Sequence, residues 1–422
     1  MRNMRRQGLA WRAAAVLFVL AGTSLAAAES GGGGGLGPND WPQFRGPTGQ
    51  GITGEKDLPT KWGGSDGQNV LWKAPLAASH NPWSSPVIAG DTILFTSCKM
   101  EGQEQHVLAF SKADGKPLWD TPIPPGPWKG AEPKGGLADP TPCTDGRNVY
   151  AVFGSAVIVC LDMQGKIVWR KEFPAYNFDV TVGSCPILYK NLILYQADQY
   201  KKTSSLFAYD RATGDVKWED KRPEVTFAHS TPILLAVGGK TQLIVSGSTG
   251  LMGVDPDEGK RIWWCKGAGE TASPVYGGGL VYADTGRGSG GLAVDPTGQG
   301  DVTATHLKWK VELGSELSSP VVAGDCLYRL CGTNLVCLKL ATGEKVWSQK
   351  LEGISAWASP IVTPEGNIYC ASSGTSFIIK AGPKCEILAT NNLGDPNHAA
   401  PAISDGKIYL RGTKFLYCVG KK

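Results

Sequence analysis

Short apolar runs, each cut off by Gly, Asp or Asn, follow one another along most of this chain. Residues Leu317 to Trp347 show the unit complete. It opens on Ser-Pro, gives an apolar run, and turns at Ala323-Gly324-Asp325. A second run ends at Gly332-Thr333-Asn334, and a third at Ala341-Thr342-Gly343, before Trp347 closes the unit. Runs of this length bounded by turn residues predict four short antiparallel strands. A four-stranded unit recurring about every 40–45 residues predicts a β-propeller.

Each repeat starts at a Pro-containing strand: Pro86, Pro142, Pro186, Pro232, Pro274, Pro320, Pro360 and Pro401. That makes eight blades. A Trp ends six of them, at Trp119, Trp169, Trp218, Trp263, Trp309 and Trp347; the seventh has only Glu386-Ile387-Leu388 there. The eighth stops at Val419 with three strands, while Asn69–Lys73 reads as a fourth strand lacking its first three. Pairing that segment with Phe415–Val419 would close the ring and leave no open sheet edge. The expected fold is therefore all-β: an eight-bladed propeller of four-stranded antiparallel blades over 69–420, sealed by an N-terminal strand joining the C-terminal blade.

The turn before each Trp is fullest at Ala208-Tyr209-Asp210-Arg211-Ala212-Thr213-Gly214, which leads to Trp218. Gly suits a positive-φ position, and Asp and Thr side chains bond neighbouring N–H groups. Trp72, Trp119, Trp169, Trp218, Trp263, Trp309 and Trp347 are expected to wedge against the next blade and donate their indole N–H. Their role is structural.

Before the repeats, Arg2, Arg5, Arg6 and Arg12 precede the apolar run Ala13 to Leu25 and the triplet Ala26-Ala27-Ala28. Residues 1–28 read as an export signal; the alternative is an anchor that stays attached. No later stretch is long and apolar enough to span a bilayer. Residues 29–68 read as a Gly-rich linker and an extension, whose Trp41 and Phe44 are expected to pack on the outside of the main body. The formal charge of +4 falls to zero once the four signal arginines are removed. A neutral chain gives no electrostatic case for nucleic acid or anionic membrane.

Eleven Cys are present, with no Cys-x-x-Cys and no metal-ligand spacing. Cys160, Cys337 and Cys418 fall at one place in three repeats and read as small buried hydrophobes. Cys331 and Cys337 flank one hairpin and are the best candidates for a disulfide.

The Ala-x-Asp-x-x-Thr-Gly-x-x-x-Trp turn resembles the tryptophan-docking motif of the pyrroloquinoline-quinone (PQQ) dehydrogenase propellers. It is also similar to the repeats of BamB, the outer-membrane-assembly lipoprotein, and of related PQQ-like repeat proteins. The opening Asp40-Trp41-Pro42-Gln43-Phe44-Arg45-Gly46-Pro47 looks like the start of an exported group of such proteins. The dehydrogenase resemblance implies PQQ, Ca²⁺ and adjacent disulfide-bonded cysteines at the funnel. Here no two Cys are neighbours, and the Ca²⁺ ligands and catalytic Asp of those enzymes match no motif. BamB carries a lipid-acceptor Cys after its signal, whereas the first Cys here is Cys98.

In such a ring the residue three before each repeat Pro should reach the channel mouth: Trp83, Asp139, Gly183, His229, Thr271, Leu317, Trp357 and His398. Trp357, His398 and Trp83 stand on neighbouring blades and could form one patch, with His80 close by. His229 faces blade 8 across the ring, so it and His398 should not share a metal. The reading as ligand-binding funnel competes with one in which these residues simply fill the mouth. The Pro-rich link from Trp119 to Pro142, with Trp128 in it, is 23 residues, against 11 to 17 elsewhere; it could bind or serve as a stiff lid. Gly286–Gly291 reads as a hairpin turn, because no helix follows to hold a phosphate.

The expected protein is thus an exported monomer that acts by binding, recognising an envelope protein, a peptide or a small ligand without a cofactor. The second reading is a PQQ- and calcium-dependent quinoprotein oxidoreductase acting on alcohols or sugars.

Overall fold

The computed structural model describes residues 35–422 except 64–66, 78–82, 100–103, 128–135, 175–181, 201, 268, 285–289 and 314–316. The expected signal, His80, Trp128 and most of the Gly286–Gly291 turn lie outside the described residues. Eight antiparallel sheets follow one another around a ring, with no helix among the described residues. Within a blade, middle strands such as Leu192–Ala197 are buried on both faces and read as unbroken apolar runs. Outer strands such as Val216–Lys221 alternate exposed and half-buried residues. Apolar clusters fill the seams between neighbouring blades, which bury what no single blade can.

The eighth blade is built from both ends of the domain. Val70–Pro75 pairs antiparallel with Phe415–Val419, with Trp72 opposite Cys418 and Pro75 opposite Phe415. A register shift precedes the Trp position in every blade, as between Ala109 and Phe110, Cys160 and Leu161, and Cys337 and Leu338. Such a bulge re-aims the strand. It leaves one residue, for example Leu118 or Val168, facing solvent, and turns the next, the Trp, inward.

The turned Trp meets the following blade. Trp119, Trp169, Trp218, Trp309 and Trp347 donate their indole N–H to the carbonyls of Met163, Arg211, Pro256, Leu340 and Gly382, at 2.9–3.1 Å. Rings of the first four, and that of Trp72, lie over the turn glycines Gly165, Gly214, Gly259, Gly343 and Gly115. A Cβ on Gly214 would stand 2.6 Å from Trp169, and its φ is +73°. Both facts require glycine there. Trp263 differs: its N–H goes to Gln242 Oε1 within its own blade. Next to it the short strand Gly300–Asp301, inserted from blade 5, adds in parallel to the outer edge of blade 4.

The N-terminal arm overturns the expectation that it packs outside. It crosses the far end of the channel. Trp41 exchanges backbone hydrogen bonds with Ile88 of blade 1, and Thr144 of blade 2 donates to the Pro42 carbonyl. Tyr276 of blade 5 donates to Gln50 Oε1, and Val362 of blade 7 to the Gly51 carbonyl. Arg45 is buried and donates to the carbonyls of Gln50 and Pro320. The physical reason is that innermost strands leave backbone groups facing the channel, and an irregular segment can satisfy them.

Further along the arm, Trp62 repairs the seventh blade. In blades 2, 5, 6 and 8 a strand Tyr packs on that blade's own Trp: Tyr150 on Trp169, Tyr282 on Trp309, Tyr328 on Trp347, Tyr409 on Trp72. Blade 7 has Ala389 at the Trp position, opposite Ile378. Its Tyr369 instead stacks on Trp62, at 6.4 Å and 5°.

The cysteines are free thiols. Cys331 stands opposite Asn334, whereas Cys337 stands opposite Tyr328. The two therefore project from opposite faces of blade 6, into different seam cores. A disulfide between them is ruled out by that parity. Burial pushes the Cys160 and Cys337 thiols up to about 12 and that of Cys418 to about 11.

Candidate functional site

The residues three before each repeat Pro converge. Trp83, Asp139, Gly183, His229, Thr271, Leu317, Trp357 and His398 line one funnel of about 420 Å³. Phe44, from the arm that seals the far end, joins the same lining. The funnel is a blind cup with Phe44 at its base.

One sector is aromatic. Trp83 stacks on His398, with ring centres 4.5 Å apart and planes 24° apart. Trp357 tilts against Trp83 at 4.9 Å and meets His398 edge-on at 5.8 Å. Trp357 remains 43% exposed, so part of its surface is open. Across the ring, His229 packs edge-on to Phe227 at 4.4 Å, and its backbone N–H donates to the Glu270 carbonyl. It takes no part in the patch.

Burial lowers the His398 pKa, so its ring is neutral at pH 7. In the unfolded chain it would take up a proton near the ordinary value of about 6.5. The unfolded state therefore binds more protons in the window below that value, and stability contributed here is lost as pH falls through it. In a proton NMR titration of the five histidines, the resonance that vanishes in His398→Gln is expected to titrate below about 6.5. Titration at or above the ordinary value would contradict the desolvated stack.

Below the mouth lies a girdle that the sequence reading missed. In seven of the eight blades the residue just before the repeat Pro donates its backbone N–H to the side chain of its counterpart on the next blade. Ser85 donates to Thr141, Thr141 to the Cys185 sulfur, and Cys185 to Thr231. Thr231 donates to Ser273, Ser273 to Ser319, and Ser319 to Ser359. Ala400 donates to Ser85, and the ring stays open only between Ser359 and Ala400. Burial pushes the Cys185 thiol up to about 11, so it is an acceptor in this ring and no nucleophile. The signal was present: a Ser, Thr or Cys precedes seven of the eight prolines.

Among the described residues, Asp139 is the one carboxylate of the lining, and no Lys or Arg joins it. Behind it Arg411 is buried on the Phe95 ring, bonded to the Ser84 and Thr96 carbonyls. Burial lowers its pKa to about 9, against the opposing pull of Asp139. Among the described residues no group of three or more His, Cys, Asp or Glu could hold a metal ion. Of the long link after Trp119, the Pro124 and Pro125 carbonyls are held by Arg170 of blade 2.

Fold and site together define a closed eight-bladed propeller with a blind, mainly apolar funnel. Residues 103–349, more than half of the chain, match the family model described as outer membrane protein assembly factor BamB, and the chain belongs to that family. No curated protein matches it in sequence. Among solved structures it resembles BamB from Moraxella catarrhalis, with a TM-score of 0.58 and 13% identity over 84% of this chain and 97% of that one. The Dos1 propeller gives a TM-score of 0.60 at 10% identity, covering 84% and 95%. A europium-containing methanol dehydrogenase gives 0.51 at 12%, covering 89% of both. At such identities the likeness is one of fold.

Proposed function

We propose that this chain is an exported, monomeric binding module of the cell envelope that receives a polypeptide or small ligand at the funnel mouth. The observation that carries the reading is the Trp83–Trp357–His398 patch, open to a cup of about 420 Å³. That volume is within the roughly 300–1,000 Å³ of ligand sites, which are likewise mostly apolar. Membership in a family named for outer membrane protein assembly supports an envelope role and a protein partner.

The quinoprotein reading draws support from the fold shared with methanol dehydrogenase. The residues of the funnel do not fit it. PQQ is a polycarboxylate, and the described residues of the lining offer it no Lys or Arg, only Asp139. Bringing its carboxylates against Asp139 in a half-buried cup is costly. Cys185, the one thiol of the lining, has no neighbouring Cys in sequence.

The test is a binding comparison on the full chain. Wild type immobilised on resin should retain a partner from envelope extract that Trp83→Ala/Trp357→Ala does not, at an unchanged melting temperature. Equal retention by both would remove the funnel from the account. Tight uptake of PQQ with Ca²⁺ and dye reduction by an alcohol would replace the reading with the second one.

A further inference from the structure

The girdle makes seven of eight possible links, and the place of the missing one is informative. Ser359 should donate to residue 400, but Ala400 offers only a methyl group. Among the described residues the Ser359 N–H has no acceptor, although the Ser359 hydroxyl accepts from Ser319. Both Ser359 and Ala400 line the funnel. Two positions before them stand Trp357 and His398, and two before Ser85, on the following blade, stands Trp83. The one donor the girdle leaves open therefore lies beneath the one aromatic patch. A guest bringing an acceptor oxygen can satisfy that N–H.

We propose that the seam of blades 7 and 8 is a subsite for an aromatic residue of a polypeptide. Its ring lies on the open face of Trp357, and its main-chain carbonyl accepts a hydrogen bond from the Ser359 N–H. This rests on the funnel being the binding site. The chemistry of the wall selects the guest. An aromatic ring is at home against Trp357, Trp83, Leu317 and Phe44, and one carbonyl answers the N–H that the girdle leaves open at Ser359. An acidic guest would meet Asp139 with no Lys or Arg among the described residues of the lining.

The discriminating variant is Ala400→Ser. A serine hydroxyl at 400 would complete the girdle by accepting from Ser359, removing the donor from the guest. N-acetyltyrosinamide, which carries a ring and amide carbonyls, serves as the probe for titration against the full chain. Wild type should bind it. Ala400→Ser should melt at the same or a higher temperature and bind about tenfold more weakly, the loss of one hydrogen bond. In wild type, the probe should also slow hydrogen exchange at the Ser359 amide, a readout needing no variant. Equal affinity in Ala400→Ser, or no protection of that amide, would overturn the subsite while leaving the funnel reading intact. Binding of methyl glucoside in place of the probe, lost in Trp357→Ala, would overturn the choice of guest. Retention of envelope partners unaffected by Trp83→Ala/Trp357→Ala would instead sink the funnel reading itself.

Discussion

Removing Val70–Pro75 is expected to abolish the cooperative melting of the entire propeller rather than loosen one edge. The segment is the fourth strand of blade 8 and pairs along its length with Phe415–Val419. Without it that strand presents a bare edge, and the ring opens. Trp72 also leaves its place over Gly115 of blade 1, so two seams suffer at once. Truncating a buried Trp alone costs about 3–5 kcal/mol, against a total stability of about 5–15 kcal/mol for a typical protein. Calorimetry of the deleted chain should show a broad transition or none. A transition at the wild-type temperature would show that the ring does not depend on this strand.

Trp62→Ala should be the most damaging single substitution outside the repeats. The indole is 4% exposed, stacks on Tyr369, and belongs to the core that joins blades 7 and 8. Its backbone N–H is bonded to Asn391 of the outer strand of blade 7. The expected loss is about 3–5 kcal/mol, read as a lower urea midpoint. Adding Ala389→Trp, which places an indole where the other blades carry theirs, should recover part of it. A loss below about 1 kcal/mol, the middle of the range for ordinary point mutations, would mean that blade 7 does without an indole.

The eight blades and the shared last sheet were legible because Pro, Gly and Trp recur at intervals that the geometry of a four-stranded sheet imposes. The mouth residues followed from the same punctuation, since a fixed offset before each Pro lands at one height in the channel. The arm was not legible. Its residues from Trp41 to Gly51 answer to backbone groups on five separate blades, a demand that leaves no period in sequence. For the same reason Trp62 did not show itself as the missing Trp of blade 7. The girdle was hidden by familiarity: Ser-Pro reads as a turn, and only the neighbouring blade shows that the hydroxyl is an acceptor. The pairing suggested for Cys331 and Cys337 failed on strand parity, which sends them into separate cores.

The shared sheet also orders events in time. Pro75 and its partner Phe415 are 340 positions apart, so the first-made strand waits for nearly the whole of the rest to emerge. Pairing at such separation is slow relative to the local hairpins that make blades 1 to 7. Those blades can assemble as they appear, whereas the seal is the last step. Until it forms, the growing arc carries two unsatisfied flanks, and that interval is when the chain is most exposed to sticking to another copy.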